Sequence, residues 1–144
     1  MANTKDLRSA GLKSTAPRLK ILELFESSGY KHMTADEVYK RLIDRGEDMG
    51  LATVYRVLTQ FEAAGLLTKH NFEGNRAIFE LKEQSHHDHM VCVECGKVLE
   101  FIDKTIEKRQ KKVCEQAGFI MQDHAMYLYG VCEGVANGKK CSMK

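Results

Sequence analysis

The sequence has no apolar run long enough to span a membrane, and its opening residues, MANTKDLRSA, have no apolar stretch behind a basic region. We therefore expect neither a signal peptide nor a membrane anchor, and a cytoplasmic location. The formal net charge is only +2, which alone does not indicate a nucleic-acid partner. Apolar residues make up 43% and charged residues 29% of the 144 positions, which is typical of a globular protein with one domain or two small ones.

The segment His86–Cys95 concentrates three histidines, an aspartate and a CxxC pair within ten residues. Cys92 and Cys95 have the spacing at which a tight turn directs two thiolates at one tetrahedral zinc, and a second Cys pair normally completes such a site. The candidates for that pair are Cys132 and Cys141. Because the chain lacks export signals, its five cysteines favour metal thiolates over disulfides. The alternatives are a solvated histidine cluster and a CxxC that is only a redox pair.

The residues just before the CxxC pair have a second possible role. If they form a strand, their side chains alternate between its two faces. His87 and His89 then point one way, whereas His86 and Asp88 point the other. One short segment could therefore supply two different nitrogen and oxygen sites beside the thiolate site.

The first half of the sequence predicts helices followed by a β-hairpin. Capping residues, glycines and apolar periodicity place four helices at residues 5–10, 15–29, 34–46 and 51–65. The third helix begins with a capping box, formed by Thr34 and Glu37. Two strand-like runs, 66–71 and 76–81, flank a turn around Gly74. Helices followed by a hairpin form a winged helix, in which the last helix before the hairpin fits the DNA major groove.

The fourth helix has one apolar and one polar face. The apolar positions, which we expect to be buried, are Leu51, Val54, Leu58 and Phe61. The opposite face is small, polar and singly cationic, and consists of Ala52, Thr53, Arg56, Thr59 and Gln60. Near the start of the chain, a cluster of cations with one acidic neighbour, Asp6, consists of Lys5, Arg8, Lys13, Arg18 and Lys20. A surface helix of a protein-binding module is an alternative, but the nearby cations favour DNA.

A short polar joint at residues 82–85 precedes the change to the histidine and cysteine segment. We therefore predict a domain boundary after Lys82, between a first domain, 1–82, and a second domain, 83–144. A second domain this small leaves strand edges and apolar faces exposed, and both zinc and self-association would relieve that exposure.

The second domain predicts two further strands and a helix. A strand is expected at 98–102 and a longer one at 119–132, which is rich in aliphatic and aromatic residues. Between them, Asp103 caps a helix that ends at Gly118. The residues expected on its inner side are Ile106, Val113 and Ala117. Cys114 is interpreted as a small buried core residue without a ligand role.

These motifs resemble the ferric uptake regulator family, the bacterial iron-responsive repressors. The resemblance covers nearly the whole chain and rests on GLKSTAPRLKILELF, GLATVYRVLTQFEAAG, HNFEGNRAIFEL, HHDHMVCVECGKVLEF and MYLYGVC. It implies an α+β protein with an N-terminal winged-helix DNA-binding domain and a small α/β dimerisation domain with a short antiparallel sheet. It further implies a homodimer, or a tetramer, that binds A/T-rich operators of iron-acquisition genes in double-stranded DNA when metal is bound, and represses transcription.

The resemblance also implies roles for individual residues. The regulatory metal site corresponds to His32, Glu80, His87, His89 and Glu100. A second nitrogen and oxygen site corresponds to His86, Asp88, Glu107 and His124. The structural zinc ligands correspond to Cys92, Cys95, Cys132 and Cys141, although the eight residues between the last two are more than the family usually has. The DNA contacts correspond to Lys13 and Arg18 near the backbone and to Tyr55 and Arg56 on the recognition helix.

The identity of the regulatory metal rests on the resemblance. Imidazole and carboxylate ligands suit Fe(II), Mn(II), Co(II) or Zn(II), and affinity alone rises toward zinc. The peroxide-sensing branch of the superfamily has aspartate where this chain has Glu80 and Glu100, so iron is favoured. A zinc-uptake regulator is the nearest alternative. A zinc metallohydrolase is an alternative from another class, but no general-base motif supports an enzyme with a small-molecule substrate.

Overall fold

The computed structural model describes residues 4–27, 31–72, 76–82, 86–141 and 143. The chain separates into two compact units, Met1–Glu83 and Gln84–Lys144. The boundary predicted after Lys82 adjoins residues 83–85, which lie outside the described residues. Within the described ranges, no helix combines the length and the apolar character needed to cross a membrane.

The described part of the first unit forms helices followed by a two-stranded antiparallel hairpin. In chain order the elements are α1 (Thr4–Ser9), α2 (Ala16–Ser27), α3 (Ala35–Asp44), α4 (Leu51–Ala63), β1 (Leu67–Phe72) and β2 (Arg76–Leu81). This is the order predicted for a winged helix. The helix end predicted at Gly29 and the turn predicted around Gly74 lie outside the described residues.

Local capping determines where the helices of the first unit start and stop. The Thr34 hydroxyl accepts a hydrogen bond from the backbone N–H of Glu37 at 3.2 Å, which caps α3 as predicted. The other half of the capping box differs, because the Glu37 carboxylate accepts from the Thr34 hydroxyl at 3.2 Å. After α4, Gly65 adopts a φ of 80°, which ends the helix and directs the chain into β1.

The core of the first unit lies between α2, α3, α4 and the hairpin. Its buried α4 residues are Val54, Val57, Leu58 and Phe61. Leu51, which we expected in this set, is 36% exposed. It is the first residue of α4 and lies at the end of the apolar stripe, whereas Val57 lies in its middle at a helical spacing from Val54 and Phe61.

The segment before α3 is attached to the hairpin by a short bridge. The backbone N–H of Met33 donates to the Phe79 carbonyl at 3.0 Å, and the Phe79 N–H donates to the Met33 carbonyl at 2.8 Å. This pairing brings the residues next to Met33 and Phe79 together. His32 and Glu80 are those neighbours, so the backbone itself positions one histidine beside one carboxylate.

The second unit contains a three-stranded sheet and a helix. Its elements are β3 (Asp88–Cys92), β4 (Val98–Phe101), α5 (Lys104–Gln116), β5 (Tyr127–Gly130) and a short α6 (Glu133–Ala136). Asp103 caps α5 as predicted, because its carboxylate accepts from the N–H groups of Thr105 and Ile106 at 2.8 and 3.1 Å. The strand order is β4-β3-β5, with β4 antiparallel and β5 parallel to β3, so the sheet is mixed where we expected it to be antiparallel.

Three expectations about the second unit were wrong. The long strand predicted at 119–132 is limited to β5, because β3 offers only a short partner whose ladder with β5 begins at the His89 and Tyr127 pair. The helix α5 has no buried residue, and Val113 is 56% exposed. Cys114 is only partly buried, so its interpretation as a core residue was also wrong. The described unit has too few elements to cover the apolar side of this helix.

Candidate metal centres and nucleic-acid interface

The end of β3, the turn after it and the end of β5 bring three thiols together. The parallel ladder pairs Cys92 with Gly130, two residues before Cys132. Ligand sulfurs of Cys92, Cys95 and Cys132 all lie within 4.8 Å of one another, and the Sγ atoms of Cys95 and Cys132 are 4.0 Å apart. Cys141 follows α6 and is exposed, and among the described residues it is not one of these three closely grouped ligands. The spacing of these sulfurs suits a tetrahedral thiolate site.

The surroundings of the thiols favour ionisation of Cys92 and Cys141 and oppose ionisation of Cys95. The backbone N–H groups of Cys132 and Cys95 donate to the Cys92 sulfur and lower the pKa of the Cys92 thiol to about 6. A hydrogen bond from the backbone of Met143 lowers the pKa of Cys141. Desolvation around its sulfur raises the pKa of Cys95 to about 12, although the residue as a whole is exposed. One thiolate therefore forms readily near neutral pH, with further thiols hydrogen-bonded beside it.

A second cluster in the same unit consists of His86, Glu107 and His124, whose ligand atoms lie within 4.8 Å of one another. Glu107 is in the first turn of α5. The ring centroids of His86 and His124 are 4.0 Å apart, and the angle between the ring planes is 71°. The Nε2 atom of His124 is buried and accepts or donates no hydrogen bond among the described residues. A buried imidazole nitrogen beside a carboxylate and a second imidazole fits a divalent cation.

Asp88 is adjacent to this cluster but has other contacts. It is 1% exposed, and its Oδ1 atom lies 3.1 Å from His86 Nε2 and accepts from the Met126 N–H at 3.2 Å. Among the described residues it is not one of the three closely grouped ligands. In these positions Asp88 orients the His86 ring and ties the chain before β5 to β3.

His87, His89 and Glu100 form a separate group on the second unit. His89 pairs with Glu100 across β3 and β4, and it is 2% exposed. The Nε2 atom of His87 lies 3.4 Å from Glu100 Oε1, and the rings of His87 and His89 are 5.0 Å apart. The alternation predicted from sequence is therefore present as geometry: His86 contacts Asp88 and His124, while His87 contacts Glu100 and His89.

The first unit carries its own group of donors around Glu80, on β2. Glu80 is 5% exposed, and its Oε2 atom lies 2.7 Å from His32 Nε2. Its Oε1 atom lies 2.6 Å from Nε2 of His70, a buried residue of β1 that we did not predict. The hairpin register explains the contact: with Thr68 opposite Glu80, His70 is a diagonal neighbour on the same face.

The exposed face of α4 carries Tyr55 and Arg56, two of the four residues predicted to contact DNA. Arg56 is exposed, and Tyr55 is 49% exposed although it was not among the residues that the helical period placed on the polar face. Arg18 Nη2 donates to Gln60 Oε1 at 3.0 Å, and Arg18 Nη1 donates to the Lys13 carbonyl at 2.9 Å. Arg18 therefore fastens the segment that carries Lys13 to the helix.

A winged helix in one unit, with thiolate and imidazole-carboxylate clusters in the chain, defines a metal-binding regulator of transcription as the class of protein. Comparison with known proteins leads to the same class. The model of the family described as "Ferric uptake regulator family" matches residues 9–129, and the chain belongs to that family. Members are DNA-binding repressors and not enzymes, so the metallohydrolase alternative is wrong.

Individual relatives resemble the chain over most of its length. It is 57% identical over 132 residues to the ferric uptake regulation protein of Legionella pneumophila, which covers 92% of this chain and 97% of the relative. The structure of the Vibrio cholerae ferric uptake regulator has a TM-score of 0.86 and 53% identity, and covers 90% of this chain and 99% of that chain. The structure of a Pseudomonas aeruginosa ferric uptake regulator with manganese has a TM-score of 0.76 and 54% identity, and the match covers 92% of this chain and 99% of that chain. The winged helix and the α/β dimerisation domain predicted from sequence are thereby confirmed.

Proposed function

We propose that this protein represses iron-acquisition genes in response to Fe(II). A homodimer binds A/T-rich operators in double-stranded DNA when Fe(II) is held by His32, Glu80, His87, His89 and Glu100. The observation that carries the proposal is the pair of buried donor groups, one around Glu80 in the first unit and one around His89 in the second. Neither unit by itself contains all five donors of the proposed set.

A metal that binds donors of both units stabilises the arrangement of the units in which those donors can converge. Such a ligand shifts the population toward that arrangement by its differential affinity for it. The binding free energy of the metal thus favours that arrangement, and the residues supply the donor atoms in buried surroundings. In Vibrio cholerae, the related regulator is described as showing a rearrangement of its DNA-binding domains, which supports such a switch.

Iron is the proposed regulator for two reasons. The relatives are named for ferric uptake, and the donor set contains glutamate at both carboxylate positions. Imidazole and carboxylate donors also accept Mn(II), Co(II) and Zn(II), and the Pseudomonas aeruginosa relative was obtained with manganese. A zinc-uptake regulator of the same superfamily is the second candidate, because zinc binds such donors more tightly than iron does.

A separate Zn(II) is proposed to be structural and to be held by Cys92, Cys95, Cys132 and Cys141. The three close sulfurs and the lowered pKa of Cys92 support a thiolate site, to which Cys141 would add the fourth ligand. A closed tetrahedral site of this kind contributes folding free energy to a small domain. The additional site is proposed to bind a further divalent cation through His86, Glu107 and His124, with Asp88 supporting His86.

The proposed homodimer is supported by apolar surface on the second unit. Strand β5 is at an edge of its sheet, and Leu128 and Tyr129 on it are 42% and 37% exposed. On and after α5, Val113 and Phe119 are 56% and 62% exposed. An apolar edge strand and an uncovered helix are surfaces that a second copy of the chain would bury, and a tetramer would extend the same association.

On DNA, we propose that Lys13 and Arg18 lie near the phosphate backbone and that Tyr55 and Arg56 on α4 face the bases. The exposure of Tyr55 and Arg56 supports that role. Arg18 hydrogen-bonds to the Gln60 side chain and to the Lys13 carbonyl, so it also holds the segment that carries Lys13 against α4. A repressor of this kind acts in the cytoplasm, where bacterial operators are found.

The experiment that tests the proposal measures operator affinity of zinc-loaded protein titrated anaerobically with Fe(II), Mn(II) and Zn(II). We expect Fe(II) and Mn(II) to raise operator affinity in protein whose thiolate zinc is unchanged. If only additional Zn(II) raises the affinity, the chain is a zinc-uptake regulator. If none of the three ions changes it, the proposed switch is wrong.

A further inference from the structure

His70 is a buried histidine that none of the proposed metal sites uses. It is 8% exposed, and its Nε2 atom lies 2.6 Å from Oε1 of Glu80, which is 5% exposed. Its ring stacks on Phe72 with a centroid separation of 5.2 Å and an interplanar angle of 2°. The stacking and the hairpin register fix the ring, so its nitrogen has a defined direction toward the carboxylate.

The two oxygens of Glu80 have different partners. Oε1 contacts His70, whereas Oε2 lies 2.7 Å from Nε2 of His32. With Glu80 ionised, the Nε2–H group of His70 donates to Oε1, because a carboxylate only accepts hydrogen bonds. That bond fixes the rotation of the carboxylate and keeps Oε2 on the side of His32. Carboxylate ligands of metals are commonly oriented by such outer hydrogen bonds.

We infer that His70 is a positioning residue, which holds the Glu80 carboxylate so that Oε2 is presented to the metal together with His32. This inference rests on the proposed function, in which Glu80 is a regulatory ligand. His70 and His32 approach different oxygens of one carboxylate, and the histidine on the Oε1 side supports the ligand without being one. Loss of such a supporting hydrogen bond lowers metal affinity by about 10- to 100-fold.

Two substitutions separate the hydrogen bond from the packing. His70→Phe keeps a buried aromatic ring against Phe72 but removes the donor. His70→Gln returns an N–H donor at about the reach of Nε2, whereas His70→Asn places its amide too close to β1 to reach Glu80. All variants are made in full-length, zinc-loaded protein that carries Glu107→Ala, so that Co(II) is not taken up by the additional site.

The test is anaerobic Co(II) titration, with the visible absorption spectrum and the thermal midpoint of the cobalt-free protein recorded for every variant. We expect His70→Phe to weaken Co(II) binding about 10- to 100-fold and to shift its ligand-field bands, and His70→Gln to restore most of both. Parental affinity and spectrum in folded His70→Phe would overturn the inference. So would a lower thermal midpoint with unchanged affinity, since that is the signature of a packing role alone.

Glu80→Ala distinguishes failure of this inference from failure of the proposed function. If Glu80→Ala binds Co(II) as tightly as the parent, Glu80 is not a ligand and the proposed regulatory site is wrong. If Glu80→Ala loses affinity while His70→Phe does not, the site stands and His70 does not position it. If His70→Phe fails to fold, the comparison of His70→Gln with His70→Asn tests the inference. We expect His70→Asn to bind Co(II) more weakly than His70→Gln does. Equal Co(II) affinity of these two variants would overturn the inference.

Discussion

Removal of the Arg56 side chain tests the assignment of α4 as the recognition helix. Arg56 is exposed beside Tyr55, so Arg56→Ala removes no core contact, and exposed substitutions change the free energy of unfolding by only about 0.5 kcal/mol. An arginine that binds a base edge contributes about 1–3 kcal/mol to discrimination. Since about 1.4 kcal/mol corresponds to tenfold in Kd, operator affinity should fall by about 5- to 150-fold.

Fluorescence anisotropy of manganese-saturated protein on an operator duplex and on a scrambled duplex, at one salt concentration, measures this loss. Arg45→Ala is the matched control, because it removes the same charge from the exposed end of α3. We expect the Arg45 variant to bind both duplexes nearly as the parent does. Equal losses in the two variants, or a loss for Arg56→Ala that is the same on the scrambled duplex, would mean that Arg56 contributes only charge and would refute its role in reading bases.

The other predictions concern metals and assembly. Cys92→Ser and Cys95→Ser should each lose the tightly held zinc and loosen the dimer, and one retained zinc per chain by elemental analysis would contradict the site. His87→Ala should lose most of the Mn(II)-induced gain in operator affinity, whereas His86→Ala should keep most of it; superimposable titrations would reject two separate sites. Leu128→Lys should weaken the dimer at least about tenfold in sedimentation, because a lysine on an edge strand opposes strand association, and an unchanged dimer would place the interface elsewhere.

Much of the fold follows from local signals that were readable in the sequence. Thr34 and Asp103 cap α3 and α5 as predicted, and Gly65 has the positive φ that ends the run after α4. Such features depend on a few neighbouring residues and need no knowledge of tertiary structure. The CxxC spacing is equally local, because it brings two sulfurs to one turn wherever that turn lies.

Burial was less predictable, because it depends on what packs against an element. Val113 and Leu51 both lie on apolar stripes, yet both are exposed in the described chain. The apolar face of α5 would be buried, as its sequence predicts, only if a second copy of the chain packed against it. Similarly, the apolar run after Gly118 has the composition of a long strand, but the ladder extends only as far as its partner β3 allows.

Some of the histidines at the candidate sites were likewise predictable from local sequence, whereas one was not. The alternation of His86 and His87 was readable from a period of two, even though β3 begins only at Asp88. The role of His70 was missed since it depends on the register of the hairpin. That register sets His70 beside Glu80, and neither residue is near the other in sequence.

In the proposed repressor, metal binding and operator binding are coupled, and the most direct measurement uses the reciprocity of that coupling. Mn(II) affinity of zinc-loaded protein is measured with and without saturating operator duplex, and operator affinity is measured with and without Mn(II). We predict that each ligand tightens the other by the same factor, about 5- to 150-fold, as a coupling free energy of about 1–3 kcal/mol requires. Mn(II) affinity that is the same with and without operator would contradict a metal-controlled repressor.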